Sequence, residues 1–445
     1  MTKTLSTYQN YKLTELKGLS LIKALLEFSR TPLEFSLKCA QYGDIVSISV
    51  GSAKTYLFNH PSLIEEVLSK QNQNCIKDFS YRALEDVLGN GLLLSHGDTW
   101  KYHRRLMQSA FTSDRLTHYA ASIVADTNLM LNNWRSGEII DIHREMSLLT
   151  IRVIMQTMFG VEATTTAEEI TEALNVIMLQ YSYQAETFYL LPTWLPTLGN
   201  WRANKAKKRL NEIVTDIVEQ RKQHTLDDVL STMLNAEDEG EKLSDKELRD
   251  EVITLLIAGH DTTANALTWT LMLLAQNPEI EAKLVTEVES VLQKRLPTIK
   301  DIPQLAYTER VIKESMRLYP PAWILGRELI SDCNIGGHNF TRGTVIYFSQ
   351  WAIHRDARFF DCPEQFLPDR WLDNLEQSLP RCAYFPFGAG ARVCIGKAFS
   401  MMEATLILAM IIQKFHLTLP EQKIELLPSL TLRPKQGIKM ITALR

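Results

Sequence analysis

The chain has 445 residues, of which 45% are hydrophobic and 22% charged, a balance that supports a large packed core and excludes a disordered or low-complexity protein. Its formal net charge of −4, with no block of five like charges, argues against a nucleic-acid surface. The six cysteines, at 39, 75, 333, 362, 382 and 394, form neither Cys-x-x-Cys pairs nor His/Cys clusters, which argues against structural zinc and a disulfide framework and points to a reducing, cytoplasmic compartment.

Near the start, Leu19, Leu21, Ile22, Leu25 and Leu26 predict a short amphipathic helix, docked either on the core or on a membrane surface. Asp44 to Val50 alternates at strand period up to Gly51, and Thr55-Tyr56-Leu57-Phe58 is placed to pair with it. Most of the first 290 residues otherwise read as helix, with no repeat and no linker-like shift in composition, so residues 1–445 are taken as one domain. No apolar run approaches the roughly twenty residues of a membrane-spanning helix, and the N-terminus lacks a signal-peptide pattern. The stretch from Tyr181 to Pro196 is aromatic, apolar and broken by prolines. It suits either a lipophilic entrance or core packing. Arg202, Lys205, Lys207, Lys208 and Arg209 follow, consistent with contact to an anionic membrane surface and equally with a solvated helix face. Glu237-Asp238-Glu239-Gly240-Glu241 is expected to be a solvated loop.

Ser244-Asp245-Lys246-Glu247 is a capping box that opens a long helix ending at Asn277-Pro278. At 1.5 Å per residue it would run for about 45 Å, across most of a domain. Ala258-Gly259-His260-Asp261-Thr262-Thr263 interrupts its apolar pattern. Threonine hydroxyls compete for backbone carbonyls, so a local widening is expected there. Farther on, Glu314 and Arg317 share one helix face at i, i+3, and Pro320-Pro321 stops that helix. Phe387-Gly388-Ala389-Gly390-Ala391-Arg392-Val393-Cys394-Ile395-Gly396 then forms a glycine-punctuated loop running into an apolar helix. A helix N-terminus and a nearby arginine both favour a thiolate, which makes Cys394 a candidate metal ligand.

That loop matches the haem-binding signature Phe-x-x-Gly-x-Arg-x-Cys-x-Gly, and the chain resembles the cytochrome P-450 family from about Tyr42 to its end. Three further motifs agree. Ala258 to Thr263 resembles the family's oxygen-binding groove. Glu314 and Arg317, with Arg370 in Phe366-Leu367-Pro368-Asp369-Arg370-Trp371, resemble its buried Glu-Arg-Arg triad. Trp100 and Arg104 match its Trp-x-x-x-Arg helix.

The resemblance implies a mostly α fold with small β-sheets, a triangular helical prism holding haem b between the long central helix and the cysteine-loop helix. It implies Cys394 as the iron ligand, with Trp100, Arg104, Arg327 and Arg392 partnering the propionates and Phe387 packing on the cofactor. Thr262 would donate a hydrogen bond to bound dioxygen and Asp261 would relay protons from solvent. His260 occupies a variable position and is given no role. One atom of O2 would enter a lipophilic substrate and the other leave as water, with two electrons and two protons consumed. The residues contain no flavin or nicotinamide-binding pattern, so a ferredoxin or flavodoxin with its reductase is expected to supply the electrons, docking where Lys101, His103, Arg104, Arg105 and Lys397 offer positive charge. Tyr81-Arg82-Ala83-Leu84 and Pro320 to Leu325 resemble their counterparts in bacterial carotenoid hydroxylases, while the wider pattern also resembles fatty-acid hydroxylases. With Arg82 the one cation in these stretches, a neutral carotenoid or terpenoid is favoured. A haem-thiolate isomerase or dehydratase, or a haem sensor, would use Cys394 as well but would leave Asp261 and Thr262 unexplained.

Overall fold

Ser244 starts the long helix as its sequence requires. Its hydroxyl accepts from Glu247 N at 3.3 Å while its own N–H donates to Glu247 Oε2 at 2.8 Å, so two otherwise orphaned donors are satisfied. The resulting helix, Asp245–Gln276, is the centre of the computed structural model, which describes residues 11–48, 54–161, 164–186, 194–224, 228–238 and 241–445. It is buried on nearly every side between Leu248 and Leu274, which explains why its sequence carries little amphipathic pattern. Its main neighbour is the helix Ile142–Phe159. Gly259 permits that approach, because a Cβ there would lie 2.6 Å from Ile154 Cδ1. The expected widening around Gly259 is not found. The helix stays α-helical throughout, and Thr262 Oγ1 bonds the Ala258 carbonyl at 2.8 Å on the helix's own surface.

A six-stranded sheet flanks this mostly helical body, in the order Leu13–Glu15, Ile45–Ser47, Thr55–Phe58, Val345–Phe348, Leu325–Leu329 and Cys75–Ile76. Ile45 pairs with Phe58 in the antiparallel hairpin read from the sequence; residues 49 and 50 of the expected strand lie outside the described residues. Two features could not be anticipated locally: Thr55–Phe58 also pairs in parallel with Val345–Phe348, and Cys75–Ile76 pairs with the strand carrying Arg327. The acidic stretch expected to be a loop contains a two-residue ladder, in which Lys242 stands opposite Glu237.

The helix Leu19–Arg30 docks on the core through Ala24, Leu21 and Phe28 while Ile22 and Leu26 face outward. In the aromatic stretch, Tyr181 is buried, whereas Tyr183 and Trp194 are exposed, and residues 187–193 lie outside the described residues. Lys207 and Arg209 pair with Asp86 and Glu169, as residues of a solvated helix face do. Among the described residues no helix is long and apolar enough to cross a membrane.

Glu314 ties the C-terminal third together. Its carboxylate accepts from Arg317 Nε and Nη2, both at 2.9 Å, from Arg370 Nε at 2.8 Å, from Trp371 Nε1 at 2.9 Å and from Leu367 N at 3.0 Å. Arg317 spends its remaining donors on the carbonyls of His354, Pro363 and Gln365. A buried charge cluster is tolerable only when paired in this way. Glu314→Ala leaves two guanidinium groups facing a void, and a loss of about 3–5 kcal/mol is expected, read as a lowered denaturation midpoint and a failure to retain cofactor.

Candidate active site

Cys394 follows a loop whose path is set by backbone hydrogen bonds. Gly388 N donates to Phe385 O and Cys394 N to Phe387 O, each at 2.9 Å. Gly390 has φ +67°, and a Cβ on it would sit 2.0 Å from the Leu68 carbonyl oxygen, so the loop rests directly on neighbouring backbone. The helix Lys397–Lys414 begins three residues after the cysteine. Cys394 is exposed on the wall of a cavity. Burial pushes its thiol up, while the Gly396 N–H, Arg104 and Lys397 pull it down, with a net upward result. A metal cation beside the sulfur would reverse that balance.

The cavity measures about 280 Å³ and is lined by Cys394, Phe387 and Arg392 on one wall and by Leu255, Ala258, Thr262 and Thr263 of the central helix on another. Its remaining walls are largely apolar, built from Leu92, Leu93, Met107, Ala322, Leu325 and Leu430. Trp100, Arg104, Arg327 and Lys77 occupy one edge. Arg104 Nη1 donates to Val393 O at 3.0 Å, and Arg392 lies 4.6 Å over the Trp100 ring. Asp261 does not line the cavity. It lies on the adjacent face of the helix, ion-paired with Arg433 at 2.8 Å. His260 is buried, with Nδ1 2.8 Å from the Leu256 carbonyl.

Lys77 was not singled out in the sequence, and it changes the electrostatics of the site. Ile76 pairs with Glu328, so the next residue falls alongside Arg327. Asp78 offsets it only in part: its Oδ1 is engaged by Ser80 and Tyr347, and its pull on Lys77 is outweighed. Burial first, then Arg327 and Arg392, hold the Lys77 ammonium well below its ordinary pKa. Burial, Arg327 and Arg104 likewise bring Arg392 down to about 10. Among the described residues none of Lys77, Arg104, Arg327 and Arg392 is ion-paired to a carboxylate. Four unpaired cations at one edge of an apolar cavity call for an anionic guest, and a haem with two propionates and an iron facing Cys394 fits that donor set. Arg82 is not part of it, since it pairs with Glu328 at 2.7 Å.

Comparison with known proteins gives the same answer. The family model described as Cytochrome P450 matches residues 16–441. The chain belongs to the cytochrome P450 family. Cyclooctat-9-en-7-ol 5-monooxygenase of Streptomyces melanosporofaciens is 35% identical over 87% of this chain and 85% of its own. Cyclooctatin synthase from the same organism is 36% identical over 93% and 92%, and pentalenene oxygenase of Streptomyces avermitilis 35% identical over 88% of each chain. This P450 is therefore a haem-thiolate monooxygenase with terpenoid-oxidising relatives.

The helix Gly97–Gln108 corrects one expectation about this P450's surface. Trp100, His103, Arg104 and Met107 recur at helical spacing on its inner face, leaving Lys101 and Arg105 outside. His103 is thus no surface cation: it is buried, with Nδ1 2.6 Å from the equally buried Glu251 and Nε2 3.7 Å from Glu247. Burial pulls the His103 pKa down, but the hydrogen bond and charge of Glu251, aided by Glu247, outweigh it and the net shift is upward. A raised folded pKa means the pair stabilises the protein fully below the unfolded value of 6.5 and loses this contribution as pH rises through the folded value. His103→Gln should therefore melt below wild type at about pH 6, and the gap should close toward about pH 9, as thermal scans across that range will show.

Proposed function

We propose that this P450 hydroxylates a compact, apolar terpenoid. The observation that supports this reading is the cavity itself, which is lined by both Cys394 and Thr262, carries a cluster of cations and is otherwise mostly apolar. Among the described residues no cation other than that cluster lines the cavity to grip a fatty-acid carboxylate, and the names of the Streptomyces relatives point to cyclic terpenoids.

In this reading the cofactor is haem b, held by Cys394 at the iron and by Arg104, Arg327, Arg392, Trp100 and Lys77 at the propionates, with Phe387 against the porphyrin. Thiolate ligation equips the haem for O–O cleavage and oxygen transfer. The protein's own work is to position, to exclude water and to deliver protons. The apolar walls hold a C–H bond of the substrate near the reacting centre without polar competition. The Thr262 hydroxyl, which now donates to Ala258 O, can turn to donate into the cavity instead. Asp261, kept ionised by Arg433, relays protons. An isomerase or a sensor would need neither residue, so Thr262→Ala, expected to divert electrons to hydrogen peroxide, separates those readings.

Electrons come from a ferredoxin or flavodoxin and its reductase. With His103 buried and Arg104 facing the cavity, the docking face reduces to Lys101, Arg105 and Lys397, all exposed on the side of the cysteine loop and its neighbouring helix. A cytoplasmic protein, with the outward apolar residues Ile22, Leu26 and Trp194 making peripheral contact with a membrane, completes the proposal.

Two experiments test it. The carbon monoxide difference spectrum of the reduced protein should show a Soret band near about 450 nm that disappears in Cys394→Ser; pentalenene and cyclooctat-9-en-7-ol should shift the spin state, while palmitate and β-carotene should not. A fatty acid binding tighter than either terpenoid would sink the substrate assignment. Separately, Lys101→Glu with Arg105→Glu should slow reduction by ferredoxin roughly tenfold at low salt and leave the pentalenene dissociation constant unchanged. An unaltered reduction rate places the docking face elsewhere.

A further inference from the structure

Asp261 and Thr262 are neighbours in sequence but serve different surroundings, because successive residues of an α-helix point about 100° apart. Thr262 lines the cavity; Asp261 points at the hairpin formed by Leu426–Pro428 and Leu432–Pro434. There Asp261 Oδ1 accepts from Arg433 Nη2 at 2.8 Å, and Oδ2 accepts the hydroxyl of Thr431. Leu430 and Thr431, in the turn of the hairpin, line the cavity. On its other side Thr431 Oγ1 accepts from Asn265 Nδ2 at 3.5 Å, and Asn265 Oδ1 lies 3.2 Å from His143 Nε2. Among the described residues Thr431 is thus the hydroxyl that both bonds Asp261 and reaches the cavity.

We propose that Thr431 carries protons from Asp261 into the cavity and that Arg433 is a positioning residue that holds the Asp261 carboxylate against it. The inference rests on the reading of Asp261 as the proton relay. When Asp261 has taken up a proton from the solvent side, its Oδ2–H donates to Thr431 Oγ1 as Thr431 releases its own hydrogen to an acceptor in the cavity. One O–H bond forms on the hydroxyl and one breaks, the carboxylate regains its charge, and no electron moves. Arg433 favours the return to carboxylate. Burial alone would push Asp261 up, but Arg433, His260, Thr431 and His143 together bring it below the ordinary aspartate value. The hairpin turn also forms part of the cavity wall, so the hydroxyl stands at the boundary between the buried charge and the cavity.

Thr431→Val keeps the side-chain shape and removes the hydroxyl, Thr431→Ser restores it, and Asp261→Asn is the parallel control. In infrared difference spectra of the haem-loaded protein, taken against Asp261→Asn, the Asp261 carboxylate band should shift in Thr431→Val and return in Thr431→Ser. With a ferredoxin, its reductase and pentalenene as probe, the share of electrons lost to hydrogen peroxide should rise about tenfold or more in Thr431→Val and be rescued by serine. An unshifted band, or unchanged peroxide in Thr431→Val while Asp261→Asn still uncouples, overturns the role of Thr431 alone. Weaker pentalenene binding with normal coupling also overturns it, making Thr431 a substrate contact. Normal coupling in Asp261→Asn overturns the relay reading beneath it.

Discussion

The geometry of the site depends on a carboxylate that never meets water. Glu314 binds Arg317 and Arg370, and the arginines extend that grip to the carbonyls of Asp361, Cys362, Pro363 and Gln365, which no regular secondary structure would otherwise fix. Arg317 also holds His354 O at 2.8 Å, and His354 Nε2 accepts from Phe385 N at 3.0 Å. Burial first, then Arg317 and Arg355, keep His354 neutral, so its ring nitrogen remains an acceptor. From Phe385 the chain continues through the Gly388 and Cys394 turn bonds. A path of hydrogen bonds and short chain segments therefore joins Glu314 to Cys394, which converts a loop into a rigid mount.

The second constraint is a charge imbalance at the cavity edge. Lys77, Arg104, Arg327 and Arg392 are drawn together by the sheet register and the cysteine loop, yet no carboxylate of the described protein pairs with them. Bringing like charges out of water without partners is unfavourable, so the fold and its cofactor must stabilise one another: an anion that binds only the folded arrangement adds its binding energy to stability. Trp100, with Arg392 and Arg104 against its ring, supplies part of the missing compensation through its π face.

Local signals were the legible ones. The capping box at Ser244, the strand pair around Ile45 and Phe58, and the Glu314–Arg317 spacing all depend on residues close in sequence. Lys77 was not legible, because its role requires a strand pairing with residues some 250 positions away. Thr431 and Arg433 escaped for the same reason: a hairpin near the C-terminus meets the middle of the central helix only after folding. The misplacement of His103 was different. Its burial follows from the i, i+3, i+4, i+7 spacing of Trp100, His103, Arg104 and Met107, a pattern present in the sequence but masked by the run of basic residues around it.

The central helix reconciles two demands that conflict within one cavity. Oxidation of an apolar substrate needs dry walls, yet it consumes protons, which travel through polar groups. Placing the acid at 261 and the hydroxyl at 262 uses the helical turn between consecutive residues to put them on different faces, Thr262 toward the cavity and Asp261 toward Arg433, Thr431 and the neighbouring His143. The charge remains buried and paired, at little cost to the dryness of the cavity. What reaches the substrate side is a pair of neutral hydroxyls, one from the helix and one from the hairpin, and a hydroxyl can accept a proton and release another without ever holding net charge.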